Sequence, residues 1–390
     1  MTDGTTVPAP GRRLLFVVTE DWYFRTHRLA LAEAAVKAGY EVHVATRSRQ
    51  YAAHIKAAGI SLIDVDIPRR LRQPWRDLQA LMALCRIYRK VRPDIVHHVA
   101  LKPVLLGTIA ARFCGVPAII NAYAGLGHMF IGNGGGRRLL RRAAVVLLRI
   151  TLRGDRTFSI VQTEDDARTL LAHKLADREH LRLIPGAGVD VDACRHAPRP
   201  ADVPIVLLAA RINRNKGVMD FAAAAGLLRA RGVTARFAIC GSPDSGNPTV
   251  LTADEIARLV SDGIEYWGYR EDMAETLASA TLVVLPTHGG EGIPKILLEA
   301  GAARRAVIAS DVSGCRDVII DENHGLLVAP RSPAALADAI GLLLADGARR
   351  DTLAANLQAR VAQLFSQQHV DALTLALYRE CLEPVEAPAP

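Results

Sequence analysis

Short apolar runs recur along the chain, each followed by a polar turn and then by a longer stretch with helical periodicity. The first run is Leu14-Leu15-Phe16-Val17-Val18-Thr19. Unbroken apolar character over so few residues is what a parallel strand covered on both faces requires. Polar residues from Glu20 to Arg28 read as a loop, followed by a helix through Gly39 and a second strand, Glu41-Val42-His43-Val44-Ala45-Thr46. Strand, loop, helix and strand over about 35 residues make a βαβ unit. The alternation continues with strands expected at 60–65, 94–99, 117–122, 157–162 and 181–184, and helices at 74–91, 103–115 and from Glu164. Pro198-Arg199-Pro200-Ala201-Asp202-Val203-Pro204 reads as a linker. Beyond it the pattern restarts, with strands at 205–210, 235–240, 264–267 and 280–286 and helices at 333–344, 349–364 and 369–382. Such alternation predicts two doubly wound, Rossmann-like α/β domains, 12–197 and 203–366.

Length and composition agree with that division. A chain of 390 residues exceeds one ordinary core, and 50% apolar with 23% charged residues is globular composition. Six cysteines are scattered singly, without a C-x-x-C pair or a His/Cys ligand cluster, which predicts reduced thiols, a cytoplasmic setting and no zinc site. The first eleven residues read as a flexible leader, not a signal peptide, and no apolar run suits a membrane span. Charge is unevenly spread: residues 1–195 carry 30 Lys and Arg against 17 Asp and Glu, and the remainder 18 against 23. The basic half either faces an anionic partner or presents a solvated arginine-rich surface.

Ligands of open α/β sheets bind beyond the carboxyl ends of the strands, so candidate chemistry is sought there. Glu291-Gly292-Ile293-Pro294-Lys295-Ile296-Leu297-Leu298-Glu299 follows the strand at 280–286 and the turn His288-Gly289-Gly290. Pro294 suits the first position of a helix that is otherwise apolar. Glu299 is the exception, because a buried carboxylate costs several kcal/mol unless hydrogen-bonded. A ribose diol would supply two charge-assisted bonds, and a buried arginine is the structural alternative. The amides from Gly292 to Lys295 sit at the positive end of that helix, suited to hydroxyls or phosphate. Arg211 and Lys216, across the loop Arg211-Ile212-Asn213-Arg214-Asn215-Lys216-Gly217, can converge on a diphosphate. At the first domain's strand ends, Asp21, His27, His97, His98, Lys102 and Gly125 are candidates for contacting an acceptor. Lys102 suits a phosphate, whereas a histidine beside a strand end is more often a hydrogen-bonded structural residue. Asp190-Val191-Asp192 and Asp64-Val65-Asp66 mimic a D-x-D metal motif, and neither is read as a metal site.

Two glutamates eight positions apart in this strand–turn–helix setting resemble the E-x7-E motif of retaining GT-B glycosyltransferases of family 4. Arg211…Lys216-Gly217 resembles that family's Arg…Lys-Gly pair, and Gly186-Ala187-Gly188-Val189-Asp190 its Gly-Val-Asp turn. Asp21-Trp22-Tyr23, Ala124-Gly125-Leu126-Gly127-His128 and Val312-Ser313-Gly314-Cys315-Arg316 resemble a subgroup building bacterial polysaccharide and lipid-linked oligosaccharides. The resemblance implies a GT-B fold, its two domains facing across a cleft, with the final helix (367–385) returning to the first domain. It implies transfer of a hexose or N-acetylhexosamine from a nucleotide sugar, UDP-linked or GDP-linked, to a polyprenyl-diphosphate-linked or polysaccharide acceptor, without metal or cofactor. Arg211 and Lys216 would stabilise the departing diphosphate, Glu299 would hold ribose, and Glu291 with Gly292, Ile293, Pro294 and Lys295 would hold the donor sugar. Tyr269 and Arg270 would lie in the base-binding loop. The family's His in the Val-His-x-His segment corresponds here to Val99, so no catalytic histidine is carried over.

Arginines at 138, 141, 142, 149 and 153 recur at helical spacing beside Leu and Val. That segment either lies on an anionic leaflet or carries a solvated basic face over a core helix. With Arg69-Arg70-Leu71-Arg72-Gln73-Pro74-Trp75-Arg76 it favours a peripheral membrane enzyme at the inner face of the cytoplasmic membrane. Two other classes remain: a nucleotide-sugar 2-epimerase of similar fold, which would act on donor without acceptor, and a non-catalytic basic membrane or nucleic-acid binder. Against nucleic acid, no aromatic-interleaved basic strand or reading helix is present.

Overall fold

The computed structural model describes residues 11–68, 73–123, 125, 149, 151–152, 154–194, 203–244, 247–290 and 292–383. Seven strands, β1 (Arg13–Glu20), β2 (Glu41–Arg47), β3 (Ser61–Asp64), β4 (Ile95–Val99), β5 (Ala118–Ala122), β6 (Thr157–Val161) and β7 (Leu181–Leu183), form one sheet in the order β3-β2-β1-β4-β5-β6-β7. Six more, β8 (Ile205–Ala209), β9 (Arg236–Cys240), β10 (Glu265–Gly268), β11 (Leu282–Leu285), β12 (Ala306–Ser310) and β13 (Leu326–Val328), form a second in the order β10-β9-β8-β11-β12-β13. The strand pairs are parallel throughout both sheets. Both are doubly wound α/β sheets whose strand order reverses once, between β1 and β4 and between β8 and β11.

The apolar runs explain the layers. In β1, Leu14, Phe16 and Val18 enter one core and Leu15 and Val17 the other. In β8, Val206 and Leu208 face one side and Ile205, Leu207 and Ala209 the opposite side. Period-two alternation thus fills both faces, the reason these strands need no polar positions. The chain folds as two compact units, one running to Ala187 and resuming at Val370, the other from Gly188 to His369. The helix Gln367–Glu380 places Val370, Leu377 and Tyr378 beside Phe16 in the first unit's core.

Three local readings change. Glu20 to Arg28 was expected as a loop, but Asp21–His27 is a short helix with its acid in the first turn and Arg25 and His27 in the last, matching the helix dipole. The first unit was expected to reach residue 197. Gly188 onward packs with the second instead, because Val189 N–H donates to Phe365 O, Gln367 N–H donates to Val189 O, and Val191 and Cys194 join that core. Helix Ala253–Ser261 was not anticipated, although Thr252 and Glu255 form a capping box at its start. The expected hinge at 132–136 and most of the basic segment at 137–153 lie outside the described residues, as do residues 69–72 and most of the linker.

One buried polar cluster fixes the first unit. His98 shows no exposure, and its Nε2 is 2.9 Å from Tyr88 Oη and its Nδ1 2.8 Å from Asn121 Oδ1. Burial lowers its pKa to about 4. Gly107 lies against the ring so closely that an added Cβ would come within 2.5 Å of it. Gly107→Ala is therefore expected to cost about 1–3 kcal/mol by overpacking, read as a lower melting temperature at neutral pH. Because the imidazole's folded value lies below its unfolded one, its contribution is complete above about pH 6.5 and lost as pH falls toward about 4. Melting temperatures across that window should decline in the wild-type chain.

Candidate active site

The second sheet gathers five loops at its carboxyl edge. The loop after β8 is tied down by Ile212 N–H donating to Ser242 O at 2.8 Å and Arg214 N–H donating to Thr249 O at 2.8 Å. Asn213, 2% exposed, accepts from Lys216 N–H at 3.1 Å and caps the turn at 214–216. Gly217 then takes a φ of +72°, and a Cβ there would lie 1.9 Å from Pro286 O. Only glycine lets the β8 and β11 loops touch backbone to backbone. The contact is reinforced by His288 N–H donating to Asn215 O at 2.7 Å and Thr287 Oγ1 donating to the same carbonyl at 3.2 Å. His288 Nε2 also lies 2.8 Å from Asp220 Oδ2, joining the β11 loop to the helix Val218–Ala230.

Two further glycines repeat the device. A Cβ on Gly241, after β9, would lie 1.9 Å from Ala210 O, and one on Gly314, after β12, would lie 2.0 Å from Gly292 O. Gly241 N–H in turn donates to Gly268 O at 2.8 Å, bringing in the turn that carries Tyr269 and Arg270. Tyr269 is 56% exposed, and Arg270 is also exposed. The β11 loop passes Gly289 and Gly290, both with positive φ, and reaches the helix Lys295–Ala302, with Pro294 at its N-cap and not at the first helical position expected for it. Glu291 lies outside the described residues, so its expected sugar contact has no geometry here.

Within that frame Arg211 and Lys216 belong to one loop, the β8 turn. Arg211 Nη1 donates to Asp244 Oδ2 at 2.9 Å, while its side chain remains 48% exposed. Asp244 is 8% exposed and also accepts from Asn213 Nδ2 at 3.2 Å and Asn247 Nδ2 at 2.8 Å. It holds the base of the cationic loop from the β9 side. Sequence reasoning missed Asp244, although Gly241-Ser242-Pro243-Asp244 leaves the carboxyl end of the next strand, the same edge that singled out Arg211.

Glu299 sits among Leu297, Leu298, Ala300, Gly301 and Ala302, all buried. Among the described residues its ion-pair partner is not an arginine but Lys295, one turn earlier, at 3.2 Å. Burial raises the carboxyl pKa above the usual range despite the opposing ammonium. Burial, reinforced by the same carboxylate and by Asp190, pushes the Cys194 thiol up to about 11. Glu299, its side chain 21% exposed, is thus an acid on an otherwise apolar helix whose carboxyl is held above its ordinary range.

The first unit corrects several acceptor candidates. Asp21 is 1% exposed and accepts the amides of Arg49 at 2.7 Å and Tyr51 at 3.1 Å, tying down the chain after β2. His97 is 1% exposed, with Nδ1 2.6 Å from Tyr378 Oη and its ring stacked on Phe16, and His98 belongs to the core cluster described above. Burial drives the His97 pKa well down. Both rings face inward because β4 is central and covered on both sides. Lys102 is 7% exposed and pairs with Asp77 rather than reaching out for a phosphate. His27 remains half-buried, stacked on Tyr23 at 4.2 Å, and Gly125 is described with a φ of +100°. Neither D-x-D run is arranged as a ligand set: Asp190 accepts the amides of Asp192 and Ala193, Asp64 that of Ser48, and Asp66 pairs with Arg47 and Arg76.

Cations and glycine-fitted loops thus gather at the switch point of a doubly wound sheet, the edge where ligands of such sheets bind. Comparison with known proteins carries this further. Residues 13–158 match the family described as Glycosyl transferase 4-like, and residues 203–346 the family Glycosyl transferases group 1. The chain is 25% identical over 371 residues to the N,N'-diacetylbacillosaminyl-diphospho-undecaprenol alpha-1,3-N-acetylgalactosaminyltransferase of Campylobacter jejuni, covering 92% of this chain and 96% of that one. Among solved structures, a Rickettsia africae glycosyltransferase shares 16% identity at a TM-score of 0.78, covering 97% of this chain and 100% of its own. Anabaena HepE in complex with UDP and glucose shares 14% identity at 0.75, covering 94% and 99%. The chain belongs to the GT-B glycosyltransferases of the family-4 type.

The position of Glu299 has a measurable consequence. A carboxyl whose folded pKa is raised stabilises the fold when protonated, and that contribution is lost as pH rises through the folded value. Glu299→Gln removes the titration, so its melting temperature relative to wild type should be higher at pH 8 than at pH 5. A difference that does not change between the two pH values would mean the carboxylate is not held against its solvation.

Proposed function

We propose that the protein is a retaining glycosyltransferase that moves a hexose or N-acetylhexosamine from a UDP-sugar to a polyprenyl-diphosphate-linked acceptor. One observation carries this reading: Arg211 and Lys216 are held on a backbone-locked loop at the second sheet's switch point, on the same edge as the helix bearing Glu299. Arg211 and Lys216 take the donor diphosphate, with Asp244 fixing the angle of the guanidinium. Amides from Gly292 to Lys295, with Glu291, receive the sugar hydroxyls, and Glu299 accepts both ribose hydroxyls. Tyr269 and Arg270 border the base.

In the reaction the bond from the anomeric carbon to the diphosphate breaks, and its electron pair remains on the diphosphate, where two fixed cations stabilise it. Such prearranged electrostatics is usually the largest catalytic effect available to a protein. The acceptor hydroxyl attacks from the face the diphosphate leaves, and its proton passes to a phosphate oxygen, so no enzyme nucleophile is needed. The Campylobacter relative supports a lipid-linked acceptor and an alpha linkage by its name, and the Anabaena structure supports a UDP donor. This chemistry requires no metal or cofactor, and the reading places the enzyme in the cytoplasm, peripherally at the membrane.

The test is binding followed by turnover. A UDP-sugar at 100 times its dissociation constant should stabilise the chain by about 2.7 kcal/mol, read as a thermal shift. Lys216→Ala and Glu299→Gln should lose that shift and reduce transfer by about a hundredfold or more while remaining folded, each loss amounting to about 3 kcal/mol. Undiminished transfer in either variant sinks the assignment. Epimerised sugar nucleotide formed without acceptor would favour the epimerase instead.

A further inference from the structure

The helix Pro74–Val91 has two contrasting faces. Ala80, Leu84, Tyr88 and Val91 are buried, the first three in the core with Leu15, Val17 and Val96 of the first sheet. Successive residues turn by about 100°. On the opposite side this brings Trp75, Leu78, Met82, Arg86, Arg89 and Lys90 into one band about 120° wide. All six are exposed. Trp75 is 78% exposed, Leu78 45% and Met82 42%, so three large apolar side chains stand in solvent on a single stripe. Asp77, the helix's one acid, lies off the stripe and pairs with Lys102. With Gln79, also exposed, in the same band, the outer face therefore carries three apolar anchors, three cations, one neutral amide and no anion.

We propose that this face docks on an anionic lipid bilayer, the helix lying in the interface plane with Trp75, Leu78 and Met82 inserted among acyl chains and Arg86, Arg89 and Lys90 on the headgroups. Charge complementarity selects the occupant. A second copy packed face to face would oppose two cationic stripes, whereas a phosphate-rich leaflet satisfies the basic half and its acyl boundary the apolar half. Tryptophan at the stripe's end suits the headgroup boundary, where an amphipathic ring has both its environments. The helix joins the carboxyl end of β3 to the amino end of β4, so Trp75 lies at the sheet edge from which Glu20 and Asp66 emerge. The inference rests on the proposed lipid-linked acceptor only for its purpose: insertion there would bring the first unit's ligand edge to the leaflet that holds such an acceptor. Its physical basis, the stripe itself, is independent of that reading.

Flotation of the full chain with vesicles tests it. Wild type should float with phosphatidylcholine vesicles containing phosphatidylglycerol and not with phosphatidylcholine alone. Replacing Arg86, Arg89 and Lys90 together by Gln should weaken binding by about a hundredfold, near fivefold per charge. Trp75→Ser with Met82→Ser should abolish flotation at physiological salt. The tryptophan emission of wild type should shift to the blue on anionic vesicles, and the shift should vanish in Trp75→Phe. All variants should keep the UDP-sugar thermal shift, which separates failure of docking from failure of the proposed function. Equal binding by the variants, no binding by wild type, or a concentration-dependent dimer abolished by the apolar pair would each overturn the proposal.

Discussion

The site depends on backbone meeting backbone at the carboxyl edge of the second sheet. Gly217 against Pro286, Gly241 against Ala210 and Gly314 against Gly292 leave no room for a Cβ, at 1.9, 1.9 and 2.0 Å from the facing carbonyl oxygen. Each contact binds the loop of one strand to that of a neighbouring strand or connection, so the edge behaves as a single laced surface. Side chains rooted in it inherit that rigidity. A flexible loop would have to order its cations when the ligand arrives, at an entropic cost that grows with every rotamer frozen. Here most of that ordering is completed on folding.

The same edge balances its charges internally. Arg211 is held by Asp244, and Glu299 by Lys295. Neither pair is sealed: Arg211 is 48% exposed and Lys295 32%, so water screens both attractions and an incoming ligand displaces a modest interaction rather than a deeply buried one. Asp244 is different, because at 8% exposure it keeps two amide donors besides the guanidinium. If Arg211 swings toward a phosphate, that carboxylate remains hydrogen-bonded. The arrangement lets a cation move without stranding a buried anion, whose cost would otherwise oppose binding.

The second unit was largely legible in the chain because its chemistry follows strand ends. Runs such as Ile205–Ala209 and Leu282–Leu285 announce themselves by unbroken apolar character, and the residues after them are the ligand edge by topology. Asp244 escaped because a single acid in a short loop has no periodicity, and its importance arises from a hydrogen-bond partner 33 residues away. In the first unit the same rule misled. His97 and His98 sit within β4 and point into opposite cores, where Tyr378 and Tyr88 hydrogen-bond them, so they follow the structural reading of a histidine beside a strand end and not the acceptor role. Tyr378 comes from the far end of the chain, a pairing no local pattern contains. Asp21 failed for a related reason, since its carboxylate serves two amides that follow β2.

The uneven charge acquires a physical sense from the Pro74–Val91 helix. A basic excess spread over a surface would be a matter of solubility, with each cation near some anion and the field averaging out. Arg86, Arg89 and Lys90 instead share a stripe with Trp75, Leu78 and Met82, which expose apolar area that ordinary folding would hide. Leaving such area in water forgoes about 25 cal/mol for every Å² that could have been covered. Gathering it in one band, flanked by charge of a single sign, confines the exposed area to the one orientation in which a negatively charged, oily surface could cover it. The buried side of the same helix packs on the sheet whose carboxyl edge is built from Glu20, Arg47 and Asp66. One element therefore presents the outward-facing stripe and, with its other side, covers the sheet of its own unit.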